Sequence, residues 1–248
     1  MKRLDLYLAE SGLSKSRTEA KQLILGGFVS VNGKKITQPA FGVGEDILPQ
    51  DVSVDRSQIK YVSRGGLKLE AALSAFVLSP KGQICLDVGA SSGGFTDCLL
   101  QNGAAHVYAV DAGQGQMSPS LLGDGRITLI ENYNARYMQK SDFPISPTFA
   151  TMDVSFISQT LILPSLYQVL GESAQVVTLI KPQFELTRSA LNKKGIVKTE
   201  SLQKDAVFRV TSAAEAIGFH VQSVITSPIQ GGDGNTEYLL HLKKESVL

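Results

Sequence analysis

Lys181 ends the run Val176-Val177-Thr178-Leu179-Ile180 and is followed by Pro182, so a strand buried on both faces delivers a charged side chain to its carboxyl end. Ligands of open α/β sheets bind at that edge, and an amine that loses solvent loses proton affinity and can act as a base near neutral pH. Two further charges fall where strands are expected to end or begin, and a third lies in a helix. Asp153 follows Phe149-Ala150-Thr151-Met152, Glu237 opens a last strand after Gly231-Gly232-Asp233-Gly234-Asn235, and Lys68 stands in a helix ahead of the first strand of that region. Any one of them has an ordinary account as a solvated loop charge or half of an ion pair. Several on one rim make a candidate site.

Cys85-Leu86-Asp87-Val88-Gly89-Ala90-Ser91-Ser92-Gly93-Gly94-Phe95 reads as a strand, a glycine-rich turn and the start of a helix. Three chemistries use such a loop. A dinucleotide site wants G-x-G-x-x-G, and here the glycines fall differently. Gly89-Ala90-Ser91-Ser92-Gly93 matches the G-x-S-x-G nucleophile elbow, which would make Ser91 a hydrolase nucleophile. Its partners fit poorly, because His220 and His241 fall in expected strands and no oxyanion loop of the H-G-G-G type precedes it. The third chemistry is S-adenosylmethionine binding. Asp87 lies near the strand end, Gly89, Ala90, Ser91, Gly93 and Gly94 form a turn that lets backbone approach a ligand, and Phe95 enters the helix. Asp111 ends the next strand roughly 20 residues after the loop, where a carboxylate can accept both ribose hydroxyls; the competing account is a turn aspartate ahead of Gly113.

These residues need a sheet to carry them. Apolar runs at 84–88, 107–110, 128–131, 149–154 and 176–180 alternate with helix-like intervals, the pattern of a doubly wound α/β domain. A helix over about 202–217 precedes a closing pair of strands at 220–227 and 237–242. Ahead of this domain, Leu4, Leu6 and Leu8 with Tyr7 predict a short helix that stops at Ser11-Gly12. Ser14 or Ser16 can cap a second helix running to about Leu25, which Gly26-Gly27 ends. Asn32-Gly33 is a hairpin signal between Phe28-Val29-Ser30-Val31 and Lys34-Lys35-Ile36. Another strand is expected within 46–54, and Asp55-Arg56-Ser57-Gln58 reads as a linker, giving a small α/β domain over 1–60 and a larger one over 61–248.

With 43% hydrophobic and 19% charged residues the chain is an ordinary globular one, which excludes disordered and collagen-like classes. No apolar run approaches the roughly 18 residues that span a bilayer, and Lys2 and Arg3 followed by Asp5 and Glu10 do not make a signal peptide, so a soluble, cytoplasmic protein is expected. Cys85 and Cys98 read as small buried hydrophobes, and with three scattered histidines no metal is expected. The net charge is only +1, yet Met1 to Lys35 holds seven basic residues against three acidic ones, 7 − 3 = +4. That excess is the electrostatic footprint of a nucleic-acid contact, though solvated helices carry similar runs.

The ordered series of motifs resembles the TlyA family, often called hemolysin A, whose members join an RNA-binding domain of the ribosomal-protein S-four type to an FtsJ-like methyltransferase domain with a Rossmann-like sheet. The resemblance covers nearly the whole chain. It rests on Ser14-Lys15-Ser16-Arg17, Val31-Asn32-Gly33, Ser63-Arg64-Gly65-Gly66-Leu67-Lys68-Leu69, the 87–95 loop and Asp153-Val154-Ser155-Phe156-Ile157-Ser158. Lys181-Pro182-Gln183-Phe184-Glu185 and Gly234-Asn235-Thr236-Glu237-Tyr238 complete it. The resemblance implies methylation of a ribose 2′-hydroxyl, of cytidine, in ribosomal RNA or a ribosomal subunit, with S-adenosylmethionine as methyl donor and a Lys-Asp-Lys-Glu set at Lys68, Asp153, Lys181 and Glu237. Asn134-Ala135-Arg136 matches a family segment near the adenosine end, which makes Asn134 a cofactor contact.

On this reading Lys181 accepts the acceptor hydroxyl's proton or hydrogen-bonds the developing oxyanion, Asp153 and Glu237 orient the two lysines, and the base could instead be Lys68 or a water. Arg3, Arg17, Lys21 and Lys34 are expected to contact phosphate, with affinity falling as salt rises, and Arg64 to guide the strand at the junction. Three alternatives stay in view: a hydrolase using Ser91, a non-catalytic RNA-binding protein, and a cytolysin as the hemolysin label suggests. The sequence offers the last neither a span nor a cationic helix with a large apolar face.

Overall fold

The computed structural model describes residues 1–44, 46–56, 60–231 and 234–245. The chain divides into two compact units, Met1–Arg64 and Gly65–Leu248. In the expected linker, Ser57 and Gln58 lie outside the described residues.

In the first unit β1 (Lys2–Arg3) leads into α1 (Leu4–Glu10), followed by α2 (Arg17–Leu25), β2 (Val29–Val31), β3 (Lys34–Ile36), β4 (Gly42–Val43) and β5 (Val52–Val54). The Ser16 hydroxyl accepts the Glu19 N–H at 3.1 Å and so is the cap that starts α2. Asn32 and Gly33 both take positive φ, 49° and 74°, as a two-residue hairpin between β2 and β3 requires. Strands β3, β2 and β5 form one sheet, β1 and β4 pair separately, and Leu4, Leu8, Ile24 and Val29 are fully buried in the core beneath. Only the end of the strand expected within 46–54 forms. Pro49–Asp51 is a 3-10 turn, because the Asp51 carboxylate accepts the Leu48 N–H at 2.9 Å and Pro49 begins the turn.

The second unit holds α3 (Arg64–Ala75), β6 (Ile84–Val88), α4 (Gly94–Gln101), β7 (His106–Val110), β8 (Ile127–Ile130), β9 (Phe149–Met152) and α5 (Leu163–Val169). It continues through β10 (Gln175–Ile180), α6 (Pro182–Glu185), α7 (Glu200–Ile217), β11 (Phe219–Thr226) and β12 (Tyr238–Lys244). The seven strands lie in the order β11-β12-β10-β9-β6-β7-β8. From β10 to β8 neighbours are parallel, whereas β12 runs antiparallel between β10 and β11. The chain winds outward from β6 to β8 and then returns to β9 on the other side of β6, so β6 and β9 flank the switch point at which α/β sheets bind ligands. Leu86, Val88, Ala150, Met152, Val176 and Ile180 are buried in one core, which explains their uninterrupted apolar runs.

Register sets the carboxyl edge. Thr178 and Val88 are both level with Met152, Val88 is level with Val110, and Val110 with Ile130. Tyr238 pairs with Ile180, so the next step of that register sets Glu237 opposite Lys181. Because β12 is antiparallel, its first residues reach the edge where the parallel strands end. The edge therefore reads Glu237, Lys181, Asp153, Gly89, Asp111 and Glu131 across six neighbouring strands. Two expected strand limits shift accordingly: β9 stops at Met152, since Asp153 keeps one ladder bond to Val88 O at 2.9 Å before the chain turns, and Glu237 precedes β12.

Candidate active site at the carboxyl edge

The glycine-rich turn is built by left-handed backbone. Gly89, Ser91 and Gly93 have φ of 84°, 47° and 89°, a region that costs non-glycine residues energy. The missing side chains face protein. A Cβ on Gly89 would lie 2.4 Å from Asp153 O, and one on Gly93 would lie 2.5 Å from the Met117 sulfur. The loop is thus pressed onto the end of β9 and onto residues 117–121. Behind it Asp87 is fully buried: Thr96 and Thr151 donate hydroxyl protons to its two carboxylate oxygens at 2.7 and 2.9 Å. Burial outweighs these bonds and pushes the Asp87 carboxyl up to about 6, and burial followed by the neighbouring Asp87 charge pushes the Cys85 thiol up to about 12. Asp87, Ala90, Gly94 and Phe95 are buried and do not line the cleft described next.

That cleft, about 400 Å³, opens at the switch point and is lined by Gly89, Ser91, Asp111, Asn134, Asp153 and Phe156 with apolar walls from Val110, Ala135 and Ile162. Asp111 accepts the Ser91 N–H at 2.7 Å and the Gly113 N–H at 2.6 Å, so it closes its turn and orients its carboxylate at the rim together. Asn134 accepts the Arg136 N–H at 3.1 Å. A concave site with apolar walls, one oriented carboxylate and exposed loop backbone fits a nucleoside carrying a polar tail.

Two ion pairs stand beside it. Lys181 Nζ lies 2.6 Å from the Asp153 carboxylate and donates to Ser155 Oγ at 2.9 Å. Lys68 Nζ donates to Glu237 Oε2 at 2.5 Å, in a pair whose side chains are only 11% and 3% exposed. Asn235 anchors the segment ahead of Glu237, accepting the Val197 N–H at 3.0 Å and donating to Gly195 O at 3.0 Å. Gly232 and Asp233 of the preceding loop lie outside the described residues. All four charges predicted from sequence therefore pair, lysine to carboxylate, on one sheet edge.

In the first unit, Arg3 and Arg17 are half-exposed and both bond to Asp5, whereas Lys21 and Lys34 are exposed and their side chains make no hydrogen bond among the described residues. Arg64 opens α3.

Among the described residues the hydrolase constellation does not form. Ser91 Oγ donates to Gln116 Oε1 at 3.0 Å, His241 Nε2 meets Gln175 Oε1 at 2.7 Å toward the opposite end of β10, and His220 pairs with Glu245. The elbow motif is satisfied by spacing alone. Sequence reasoning passed over Phe156, which borders the cleft 91% exposed with φ of 64° and its ring 5.0 Å from Phe184. No spacing rule announces a bulky residue held left-handed and open to solvent beside a cleft. Ser155 and Gln116 were missed because each is recognisable only by its contact.

Comparison with known proteins agrees with this architecture. The FtsJ-like methyltransferase model matches residues 61–244 and the S4 domain model matches residues 2–46. "Hemolysin A" of Brachyspira hyodysenteriae is 42% identical over 240 residues, covering 96% of this chain and 98% of that protein. "16S/23S rRNA (cytidine-2'-O)-methyltransferase TlyA" of Mycobacterium tuberculosis is 39% identical over 244 residues, 98% of this chain and 90% of that protein. A solved structure of a hemolysin-named protein from Streptococcus thermophilus is 43% identical with a TM-score of 0.78, covering 99% of this chain and 89% of that one. No helix among the described residues is long and apolar enough to cross a membrane. The chain belongs to the FtsJ-like methyltransferases and, among them, to the TlyA or hemolysin A family, with an S4 domain at its front.

Proposed function

We propose that the chain transfers the methyl group of S-adenosylmethionine to the ribose 2′-hydroxyl of a cytidine in ribosomal RNA, the Gly65–Leu248 unit carrying the chemistry and the Met1–Arg64 unit holding RNA. The observation that carries this reading is the pairing of Lys181 with Asp153, which lines a nucleoside-sized cleft, and of Lys68 on α3 with Glu237 at the end of the next strand. The activity in the name of the Mycobacterium tuberculosis relative supports the choice of substrate.

S-adenosylmethionine, when bound, supplies a methyl group on a sulfonium. Asp111, already oriented by two backbone N–H groups, would accept its ribose hydroxyls, and Asn134, Gly89 and Ser91 would hold it at the other walls of the cleft. Asp87, Ala90, Gly93, Gly94 and Phe95 keep the loop in shape from behind.

Lys181 meets the acceptor 2′-oxygen, where it takes the proton or hydrogen-bonds the oxyanion that develops. Asp153 and Ser155 aim the Lys181 Nζ, and Asp153 stabilises the ammonium that results. Lys68 and Glu237, a buried pair one strand over, hold the sheet edge in register. Phe156 offers an open aromatic face on which a base can stack. Alignment supplies up to about 7 to 11 kcal/mol and proton removal about 10² to 10⁴ in rate, so positioning by these pairs is the larger contribution.

Mass spectrometry of ribosomal RNA after incubation with the protein and methyl-labelled S-adenosylmethionine tests the proposal. Gain of 2′-O-methylcytidine is the expected result; no methyl incorporation into any ribosomal substrate refutes it.

A further inference from the structure

We propose that Arg3 and Arg17 together form one phosphate-binding clamp and that Asp5, buried between them, is the residue that positions it. The inference rests on the reading that the first unit binds RNA.

Asp5 sits in the first turn of α1, held by its own N–H to Pro39 O at 3.1 Å, and its side chain is 0% exposed. Both carboxylate oxygens are fully used. Oδ1 accepts Arg3 Nε at 3.0 Å and Leu6 N at 3.1 Å, while Oδ2 accepts Arg3 Nη2 at 3.1 Å and Arg17 Nε at 3.0 Å. The hydrogen bond from Arg3, with Arg17 adding to it, holds the Asp5 carboxyl down at about 2, so it stays ionised wherever RNA does.

Two guanidinium groups on one carboxylate leave a surplus positive charge. Both arginine side chains are about half exposed, 46% and 49%, and each turns its Nε edge toward Asp5. Arg3 Nη1 and both Nη atoms of Arg17 make no hydrogen bond among the described residues. Those donors are planar, fixed and open to solvent, the arrangement that recognises phosphate oxygens in pairs. Lys21 lies one turn after Arg17 on the same face of α2 and is exposed, extending the positive track. A long arginine loses side-chain entropy when it binds, and a partner that has already fixed the fork removes part of that loss.

The positioning role and a purely electrostatic one predict opposite signs. Asp5→Asn removes a negative charge; if charge alone mattered, RNA would bind more tightly. The clamp predicts weaker binding in spite of the added positive charge. The measurement is retention of purified bacterial ribosomal RNA by the full chain across a potassium chloride series, with thermal unfolding of each variant alongside. Arg3→Ala/Arg17→Ala should weaken binding and reduce the slope of log K against log salt by about 0.7 to 0.9 for one phosphate. Asp5→Asn should weaken binding by several-fold in the wild-type background and not at all in the Arg3→Ala/Arg17→Ala background, a difference that general damage to the fold would not produce. Arg17→Lys, which keeps the charge but cannot bridge carboxylate and phosphate with one fork, should lose most of what Arg17→Ala loses. Wild-type or tighter binding by Asp5→Asn, or wild-type binding by Arg17→Lys, overturns the positioning inference while leaving RNA binding intact. Wild-type affinity and slope in Arg3→Ala/Arg17→Ala would instead sink the assignment of these arginines to RNA.

Discussion

Gly89→Ala tests how the loop and the catalytic edge depend on each other. The added Cβ would lie 2.4 Å from Asp153 O and 2.9 Å from Asp153 C, against ordinary contact at 3.4 Å, so the end of β9 must move by about 1 Å, 3.4 − 2.4. Both atoms are backbone, and neither can rotate away. Asp153 carries the carboxylate 2.6 Å from Lys181 Nζ, so the displacement is delivered to the proposed base. A misplacement of about 1 Å costs on the order of 10²-fold in rate. The left-handed φ of 84° adds about 1 to 2 kcal/mol of destabilisation for alanine. Gly82→Ala is the control, because Gly82 has φ of 71° with nothing within 4 Å of its Cβ and therefore meets the same backbone cost without the clash. Single-turnover methyl transfer to ribosomal RNA, with S-adenosylhomocysteine affinity measured by calorimetry, should show Gly89→Ala slower than Gly82→Ala by about 10²-fold at similar thermal stability. Equal single-turnover rates for the two variants would refute the coupling.

Lys181→Ala should lower kcat by about 10² to 10⁴ with cofactor affinity kept, and loss of both together in a calorimetric titration would point to a damaged pocket instead. Lys68→Ala should act first on folding, since it strands the Glu237 carboxylate, 3% exposed, at a cost of about 3 to 5 kcal/mol readable in a denaturant titration. Phe156→Ala should raise KM for RNA by the equivalent of about 1 to 3 kcal/mol of lost base stacking and leave cofactor affinity unchanged, as a steady-state series in both substrates would reveal. For Asp87 the folded value of about 6 lies above the ordinary 3.8, so its contribution to stability is present below about pH 4 and is lost as pH rises through about 6. A shift of about two units amounts to about 3 kcal/mol, so Asp87→Asn should flatten that part of the stability-against-pH curve, and an unchanged curve would mean that the carboxylate is not penalised by burial.

Much of the fold was legible because its signals are local. Apolar β-branched runs bounded by glycine and proline gave β6, β7, β9 and β10 to within two residues, and Asn32-Gly33 announced its hairpin through a backbone conformation that few other residue pairs tolerate. One exception is local and one is not. Asp51 could as well have extended a strand as folded back on the Leu48 N–H, whereas the two-residue strands β1 and β4 exist only because the distant residues 2–3 and 42–43 meet.

By itself the sequence determined which chemistry was possible: a lysine and two acids at strand ends, a second lysine on a helix, a glycine-rich turn, an aspartate one strand later, and a positive front. It could not say who pairs with whom. Lys68 and Glu237 are 169 residues apart: β12, antiparallel beside β10, brings Glu237 to the edge where the parallel strands end, and Lys68 reaches it from α3. The same tertiary placement separated residues that look alike in the sequence. Asp87 and Asp111 both follow apolar runs, yet one is sealed between Thr96 and Thr151 and the other opens onto the cleft, because Asp87 lies within β6 and Asp111 one step past β7. Asp87 is level with Ala109 and Asp111 with Gly89, so two steps along the strand direction, from within the ladder to beyond its end, decide whether a carboxylate meets the core or a ligand.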